Sequence, residues 1–346
     1  MSKKEHKPLI EANELSTEQK KSVKVRVITS IVIAAILIPA LVLGSYYFAL
    51  VMFLIAGFAA YELVSVSSIK ESKSKIFIYI FSIILVESYV FWIFLKNNFD
   101  AISKSEDIFT TFDSILTNSF ERIEISVIAL MASAGVYFVV SFIDEKITIN
   151  HVFYYFGMTL LVGLCCQSLL YLRFRPFSAF EPYGVDVNSI DFRLVQSWFL
   201  LLYMALGSFG NDIFAYFTGI LFGKHKVNPR ISPKKTWEGF IGGLVLSALL
   251  SFGFAFVCSI LGKPIFPALD HTHWYWILIV SLTMPIIGDI GDFVFSAVKR
   301  SFGIKDFSNL LPGHGGVLDR MDAMFFCSAL VSIFVVMISN GWNFLV

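Results

Sequence analysis

Long apolar runs recur along this chain, and they constrain its fold more than any other feature. About nine stretches approach the ~20 residues needed to cross a hydrocarbon core. They are 27–44, 46–66, 76–95, 124–143, 152–172, 194–222, 239–261, 274–293 and 322–344. Runs of this length read as transmembrane helices. Composition agrees: 56% of residues are hydrophobic and 15% charged, with mean hydropathy +0.73. A soluble domain carries roughly 25% charge. The expected fold is therefore all-α, a polytopic transmembrane helical bundle of about nine spans.

Three regions follow from the pattern: a basic tail over 1–25, an N-terminal transmembrane region over 26–193, and a C-terminal transmembrane region over 194–346 with a polar cleft. The first apolar run follows a charged tail and lacks a small-residue cleavage site, so it reads as a retained span. Lysine and arginine set the orientation. The tail, the loop after the second run (Lys70, Lys73, Lys75), the segment after the sixth (Lys224, Lys226, Arg230, Lys234, Lys235) and the segment after the eighth (Lys299, Arg300, Lys305, Arg320) fall on one side. The expected topology places that side and the N-terminus in the cytosol. The loop at 96–123 is acid-rich, as suits the outer side, whereas Arg173 and Arg175 run against the rule. A net charge of +1 gives no reason to expect nucleic acid. All four cysteines lie in apolar runs without metal-ligand spacing and read as packing residues.

Two polar motifs interrupt this apolar background. Ionisable groups at membrane depth are costly and mark functional sites. The first motif runs from Asn211 to Gly243. Asn211 and Asp212, with Gly210, interrupt the sixth run. Gly219 and Gly223 permit close backbone approach. Ser232-Pro233 reads as a helix start, serine at the cap and proline at the first helical position. Such a start favours anions, and Lys234 and Lys235 add charge there.

The second motif runs from Gly288 to Asp322. Asp289 and Asp292 are three apart, so a helix places them on one face, and Ser296 and Lys299 continue it. Asp319 and Asp322 repeat the spacing at the start of the last run. Two helix ends, each with a carboxylate pair, are expected to converge on one or two cations. Mg²⁺ is usually held by a few carboxylates plus substrate phosphates. Lys299, Arg300, Lys305 and Arg320 suit phosphate oxygens. His314, inside a Pro-Gly-His-Gly-Gly turn, could donate to phosphate, act as a base or fix the turn. Glu62 and Glu87 also lie in apolar runs, and no role is assigned to them.

The second motif resembles the signature of phosphatidate cytidylyltransferases, the CDP-diacylglycerol synthases. The matching elements are Ser296, Lys299-Arg300, Lys305-Asp306, Ser308, Pro312, His314-Gly315-Gly316 and Asp319-Arg320-x-Asp322. The first motif is similar to the same family through Asn211-Asp212, Ala215-Tyr216, Gly219, Phe222-Gly223-Lys224 and Ser232-Pro233-Lys234-Lys235-Thr236-x-Glu238-Gly239. The N-terminal half agrees only as hydrophobic spans after a short tail.

The resemblance implies transfer of a cytidylyl group from CTP to phosphatidic acid, with Mg²⁺ as cofactor and room for a second cation. It makes Asp292 and Asp319 the leading metal ligands and Asp289 and Asp322 the next. Asp292, Asp319, Lys299 and His314 become the catalytic candidates. Asn211, Asp212, Lys224, Ser232, Lys234, Lys235, Arg300, Lys305 and Arg320 become the substrate-binding ones. CTP, phosphatidic acid and the bilayer are the expected partners, and a homodimer through the spans is left open. The short loops resemble the bacterial branch, which implies the cell membrane; a eukaryotic member would sit in the endoplasmic reticulum. A CTP-dependent polyprenol kinase is the alternative enzyme. A transporter is the alternative from another class, since interrupted helices and intramembrane carboxylates fit it too.

Overall fold

The computed structural model describes residues 17–67, 72–102, 125–174, 197–228, 232–265 and 271–339. Among them are nine helices and one short hairpin. In chain order these are α1 (Thr17–Leu43), α2 (Ser45–Val66), α3 (Lys75–Ile102), α4 (Ile125–Ile143), α5 (Ile149–Phe174), α6 (Ser197–Phe222), β1 (Lys226–Asn228), β2 (Ser232–Thr236), α7 (Trp237–Ile260), α8 (Trp274–Ser301) and α9 (Leu318–Ser339). The described part of every expected apolar run falls, to within a residue, on one of these helices. Seven of them, α1, α2 and α5–α9, are long and apolar enough to cross a membrane among the described residues. The fold is therefore a helical, integral membrane architecture. The expectations for 1–16, for 103–123 of the acid-rich loop, for 175–196 and for 340–344 lie outside the described residues, and the first part of that expected loop, 96–102, instead continues α3.

Helices α2, α3, α5 and α9 enclose the main core, in which Ala56, Ala59, Ala60, Val162, Leu170 and Phe325 are fully buried. The small residues of α2 let its neighbours approach closely, the usual basis of helix packing in lipid. Helix α1 lies at the periphery; only 6% of its span is buried. Arg173, which counts against the orientation rule by position, reaches back to the end of α1, where its Nε donates to the Leu41 carbonyl at 3.2 Å. Its charge thus caps a helix C-terminus, where a cation is favoured.

Three local expectations are corrected. The sixth run is one continuous helix through Gly210, Asn211 and Asp212, because the Asn211 side chain finds a partner across the bundle instead of breaking the backbone ladder. Ser232-Pro233 does not start a helix. Both residues lie in β2, which pairs antiparallel with β1 through Lys226↔Thr236 and Asn228↔Ser232. The helix starts at Trp237, and the cap is Thr236, extended at φ −117° and ψ 153°, whose hydroxyl accepts the Gly239 amide at 3.2 Å. Finally, Asp289 and Asp292 do not sit at a helix end. α8 continues to Ser301, so Asp289, Asp292, Ser296 and Lys299 lie along one unbroken helix.

α6 and α7 approach most closely. A Cβ on Gly239 would lie 2.8 Å from the Ala215 carbonyl oxygen, and one on Gly243 would lie 2.7 Å from Asn211 Oδ1. The glycines of the first motif therefore let two backbones touch, and the hairpin between these helices is carried over the groove they leave.

Candidate active site

The two polar motifs meet at one lysine. Lys235, at the end of β2, places its ammonium 2.5 Å from Asp289 Oδ1 and 2.7 Å from Asp292 Oδ2. The hairpin register sets its backbone, and the i, i+3 spacing on α8 sets the two carboxylates. Phe293 lies beneath the ammonium, 4.9 Å from ring centre to Nζ. Burial opposes the charged form of Lys235, but Asp292 and Asp289 outweigh it and hold the pKa above the ordinary lysine range.

Asn211 joins the same group from α6, donating from Nδ2 to Asp289 Oδ2 at 2.8 Å. Its Oδ1 is buried without a hydrogen-bond partner. Asp212, one residue on, opens onto the groove and lies within electrostatic reach of Lys235, Asp292, Asp289 and Arg320. The groove holds about 440 Å³ and is lined in part by Asp212, Tyr216, Gly219, Lys235, Gly239 and Asp289.

Asp319 forms a second centre beside the first. Its Oδ1 accepts Lys299 Nζ at 2.7 Å, and its Oδ2 accepts the amides of Phe307 at 2.8 Å and Gly316 at 2.9 Å. Both members of the Lys299–Asp319 pair are nearly buried. Asp322, one turn along α9, is buried within reach of Asp292, Lys299 and Asp212. The four expected aspartates thus gather at one end of the bundle, in two settings: one pair shares a lysine, and Asp319 is bound up with the loop. Among the described residues no three histidine, cysteine or acidic side chains form a preassembled metal cage.

The loop between α8 and α9 closes tightly. Leu311 and Gly315 exchange backbone hydrogen bonds, and Gly313 and Gly315 take positive φ of 76° and 88°. This is the left-handed region that glycine adopts without strain. His314 Nε2 lies 3.1 Å from Ser30 Oγ of α1, and its Nδ1 is buried without a partner. Thr29 Oγ1 donates to the Pro312 carbonyl at 3.0 Å. Arg320 Nε donates to the His314 carbonyl at 2.8 Å, and Arg300 Nη1 to the Ile304 carbonyl at 2.8 Å. Lys305 and Lys224 are exposed at the same end. Ser232 lies in the hairpin, while the side chain of Lys234 is outside the described residues.

Three contributors escape the motif reading. Thr29 and Ser30 of α1 hold the turn, and Glu62 of α2 holds its far end. Glu62 is fully buried and accepts Ser308 Oγ at 2.6 Å, the Val317 amide at 2.9 Å and the Leu318 amide at 2.9 Å. The available signal was a carboxylate inside an apolar run, which rarely lacks a partner. Glu87, the other such residue, has one oxygen buried without a hydrogen-bond partner and stands apart from the site.

Comparison with known proteins bears on the whole arrangement. A phosphatidate cytidylyltransferase of Bacillus subtilis is 27% identical over 88% of this chain and 94% of its own length. That of Staphylococcus saprophyticus is 34% identical over 51% of this chain and 60% of its own length. That of Staphylococcus haemolyticus is 40% identical over 39% of this chain and 48% of its own length. The chain thus matches only about half to three-fifths of the length of these staphylococcal relatives. The cytidylyltransferase family model matches residues 24–338, a span that takes in most of α1 with Thr29 and Ser30, Glu62 and both polar motifs; the chain belongs to the cytidylyltransferase family.

Proposed function

We propose that this chain transfers the cytidylyl group of CTP to phosphatidic acid, releasing pyrophosphate and forming CDP-diacylglycerol in a bacterial cell membrane. The observation that carries the reading is the meeting of the two motifs, Lys235 from one with Asp289 and Asp292 from the other. Bases and acids alternate there within a groove at the end of the bundle, as a metal-bound polyphosphate requires.

Asp289 and Asp292 already converge on a single positive charge, which fits a cation completed by substrate oxygens. They would hold Mg²⁺, with Asp322 near enough to Asp292 to share it or to serve a second cation. Bound there, the ion would neutralise phosphate charge on the nucleotide and on the departing pyrophosphate. Lys235 would then leave its carboxylates for the triphosphate. Asn211 keeps Asp289 oriented, and Asp212 faces the groove. Arg300, Lys305, Arg320 and Lys224, with Ser232 and Lys234 of the hairpin, would supply the outer phosphate contacts. Asp319 and Lys299 hold the loop beside the reacting groups.

In the reaction, a phosphatidate oxygen forms a bond to the α-phosphorus of CTP, and the bond from that phosphorus to the bridging oxygen breaks with its electron pair leaving on pyrophosphate. The ionised lipid phosphate is itself the nucleophile, so positioning and charge stabilisation suffice. No protein base is needed, and the contacts of His314 with α1 favour a turn-fixing role. The topology that fits has about nine spans, a cytosolic N-terminus and a cleft opening to the cytosol and the inner leaflet.

The test is an end-product assay on the purified protein with CTP, Mg²⁺ and phosphatidic acid. Pyrophosphate and a CMP-bearing lipid are expected. CDP release onto a polyprenol, or turnover of neither lipid by folded protein, would overturn the reading.

A further inference from the structure

The signature loop is tied at both ends by two carboxylates, and only one of them belongs to the signature. Asp319 takes the amides of Phe307 and Gly316. Glu62, from α2, takes the hydroxyl of Ser308 and the amides of Val317 and Leu318. The two clamps overlap at each end: Phe307 and Ser308 where the loop begins, Gly316 to Leu318 where it closes. Among the described residues three donors face Glu62, the pattern of an ionised carboxylate. Its charge sits against the first amides of α9, which no intrahelical carbonyl satisfies and where an anion is favoured. Burial of this carboxylate is thereby compensated.

Gly316 gives an independent sign of the same contact. A Cβ there would lie 2.6 Å from both oxygens of Glu62, so a side chain and the Glu62 clamp exclude each other. One glycine of the turn is required by a residue more than two hundred positions earlier in the chain.

We infer that Glu62 is a positioning residue for the active site, and that Ser308 acts through Glu62 and not on substrate. The inference rests on the function proposed above for the reaction it serves. Glu62 fixes the start of α9, which carries Asp319 and Asp322. Through Asp319 it fixes Lys299, and so the geometry of the second charged centre. A misplacement of about 1 Å at such a centre costs on the order of 10²-fold in rate.

The experiment uses the full chain in lipid nanodiscs containing phosphatidic acid. Rates with CTP are combined with amide hydrogen exchange over 307–318. For Glu62→Gln, kcat is expected to fall about 10²-fold with KM for CTP held within about threefold, and the loop amides to exchange faster. Ser308→Ala should lower kcat less and speed exchange at Val317 and Leu318. The double variant should be no worse than Glu62→Gln alone, as expected for residues acting as a unit. Wild-type kcat in Glu62→Gln, a loss confined to KM, or a double variant that multiplies the two single effects would overturn the inference. If Glu62→Gln does not fold, unchanged exchange at Val317 and Leu318 in Ser308→Ala overturns it instead. A wild-type protein that makes no CMP-bearing lipid defeats the proposed function, while the exchange measurements still decide the clamp.

Discussion

Both oxygens of Asp319 are engaged, by the Lys299 ammonium and by the amides of Phe307 and Gly316. Asp292 is freer: one oxygen meets Lys235 at 2.7 Å and the other accepts Ser296 Oγ at 3.3 Å. The pair Lys299–Asp319 is nearly dry, with side-chain exposures of 10% and 4%, whereas Asp292 is 26% exposed. Removing one partner of a buried pair strands the other charge and costs about 3–5 kcal/mol. Asp319→Asn keeps the shape but halves that pairing, so a large loss of thermal stability and of activity is expected together. Asp292→Asn should lose less stability than Asp319→Asn, because Lys235 keeps Asp289 as its partner and no buried charge is stranded. Its activity should nevertheless fall on the order of 10²-fold or more, with a higher Mg²⁺ concentration for half-saturation. Thermal unfolding and Mg²⁺ titration of the two variants, side by side, check this. Equal stability losses would place the two aspartates in one role.

Elements position these residues through backbone contact, and α6 with α7 is the sharpest case. Gly243 Cα faces Asn211, and a Cβ there would come 2.7 Å from Asn211 Oδ1 and 2.9 Å from its carbonyl oxygen. Gly243→Val should force the helices apart, cost about 1–3 kcal/mol as overpacking does, and pull Asn211 from Asp289. A melting temperature and kcat that both drop would bear this out; a drop in neither would refute it. On the other half of the bundle, Asp144 ties the α2–α3 loop to the end of α4, accepting Ser72 Oγ at 2.5 Å and the Ser74 amide at 3.1 Å. The Ser72 hydroxyl, then the Ser74 amide, hold its pKa down at about 2. A depressed carboxylate stabilises fully above its unfolded value of about 3.9 and loses that contribution as pH falls toward the folded one. The melting difference between wild type and Asp144→Asn should therefore be constant from pH 8 to 5 and shrink only below about pH 4. The helices themselves were legible because lipid demands long apolar runs, and the face shared by Asp289, Asp292 and Lys299 followed from helical spacing. The hairpin was not legible. Ser232-Pro233 carries a good capping signal, and only pairing with β1 decides that Thr236 is the cap. Glu62 was visible as an oddity but its partners lie across the bundle, and no local pattern names them.

At the scale of the molecule, both polar motifs belong to the C-terminal half while restraints on the second come from the N-terminal one. Thr29 and Ser30 of α1 and Glu62 of α2 reach the loop between α8 and α9, so that end of the bundle contains parts of both halves. Those contacts, with those of Asn211 and Lys235 to Asp289, fix which ends of the helices lie together. The N-terminal half of α1, the end of α2, the hairpin after α6, the end of α8 and the start of α9 share one end. α7 then runs away from the hairpin for 24 residues, which at about 1.5 Å each is enough to span the hydrocarbon. Lys263, just beyond it, must lie at the opposite end. The orientation proposed from loop charge therefore makes a paired prediction. In cells or sealed right-side-out vesicles, single cysteines placed at the exposed Lys224 and Lys305 should resist a membrane-impermeant thiol reagent, and one at the exposed Lys263 should react. Inverted vesicles should reverse the pattern. The native cysteines are buried or half-buried and would be replaced first. Reaction of Lys224→Cys and Lys305→Cys on opposite sides would break the fold's common end. Reaction of both from outside would keep the fold but turn the cleft away from the cytosol, and with it the supply of CTP on which the proposed reaction depends.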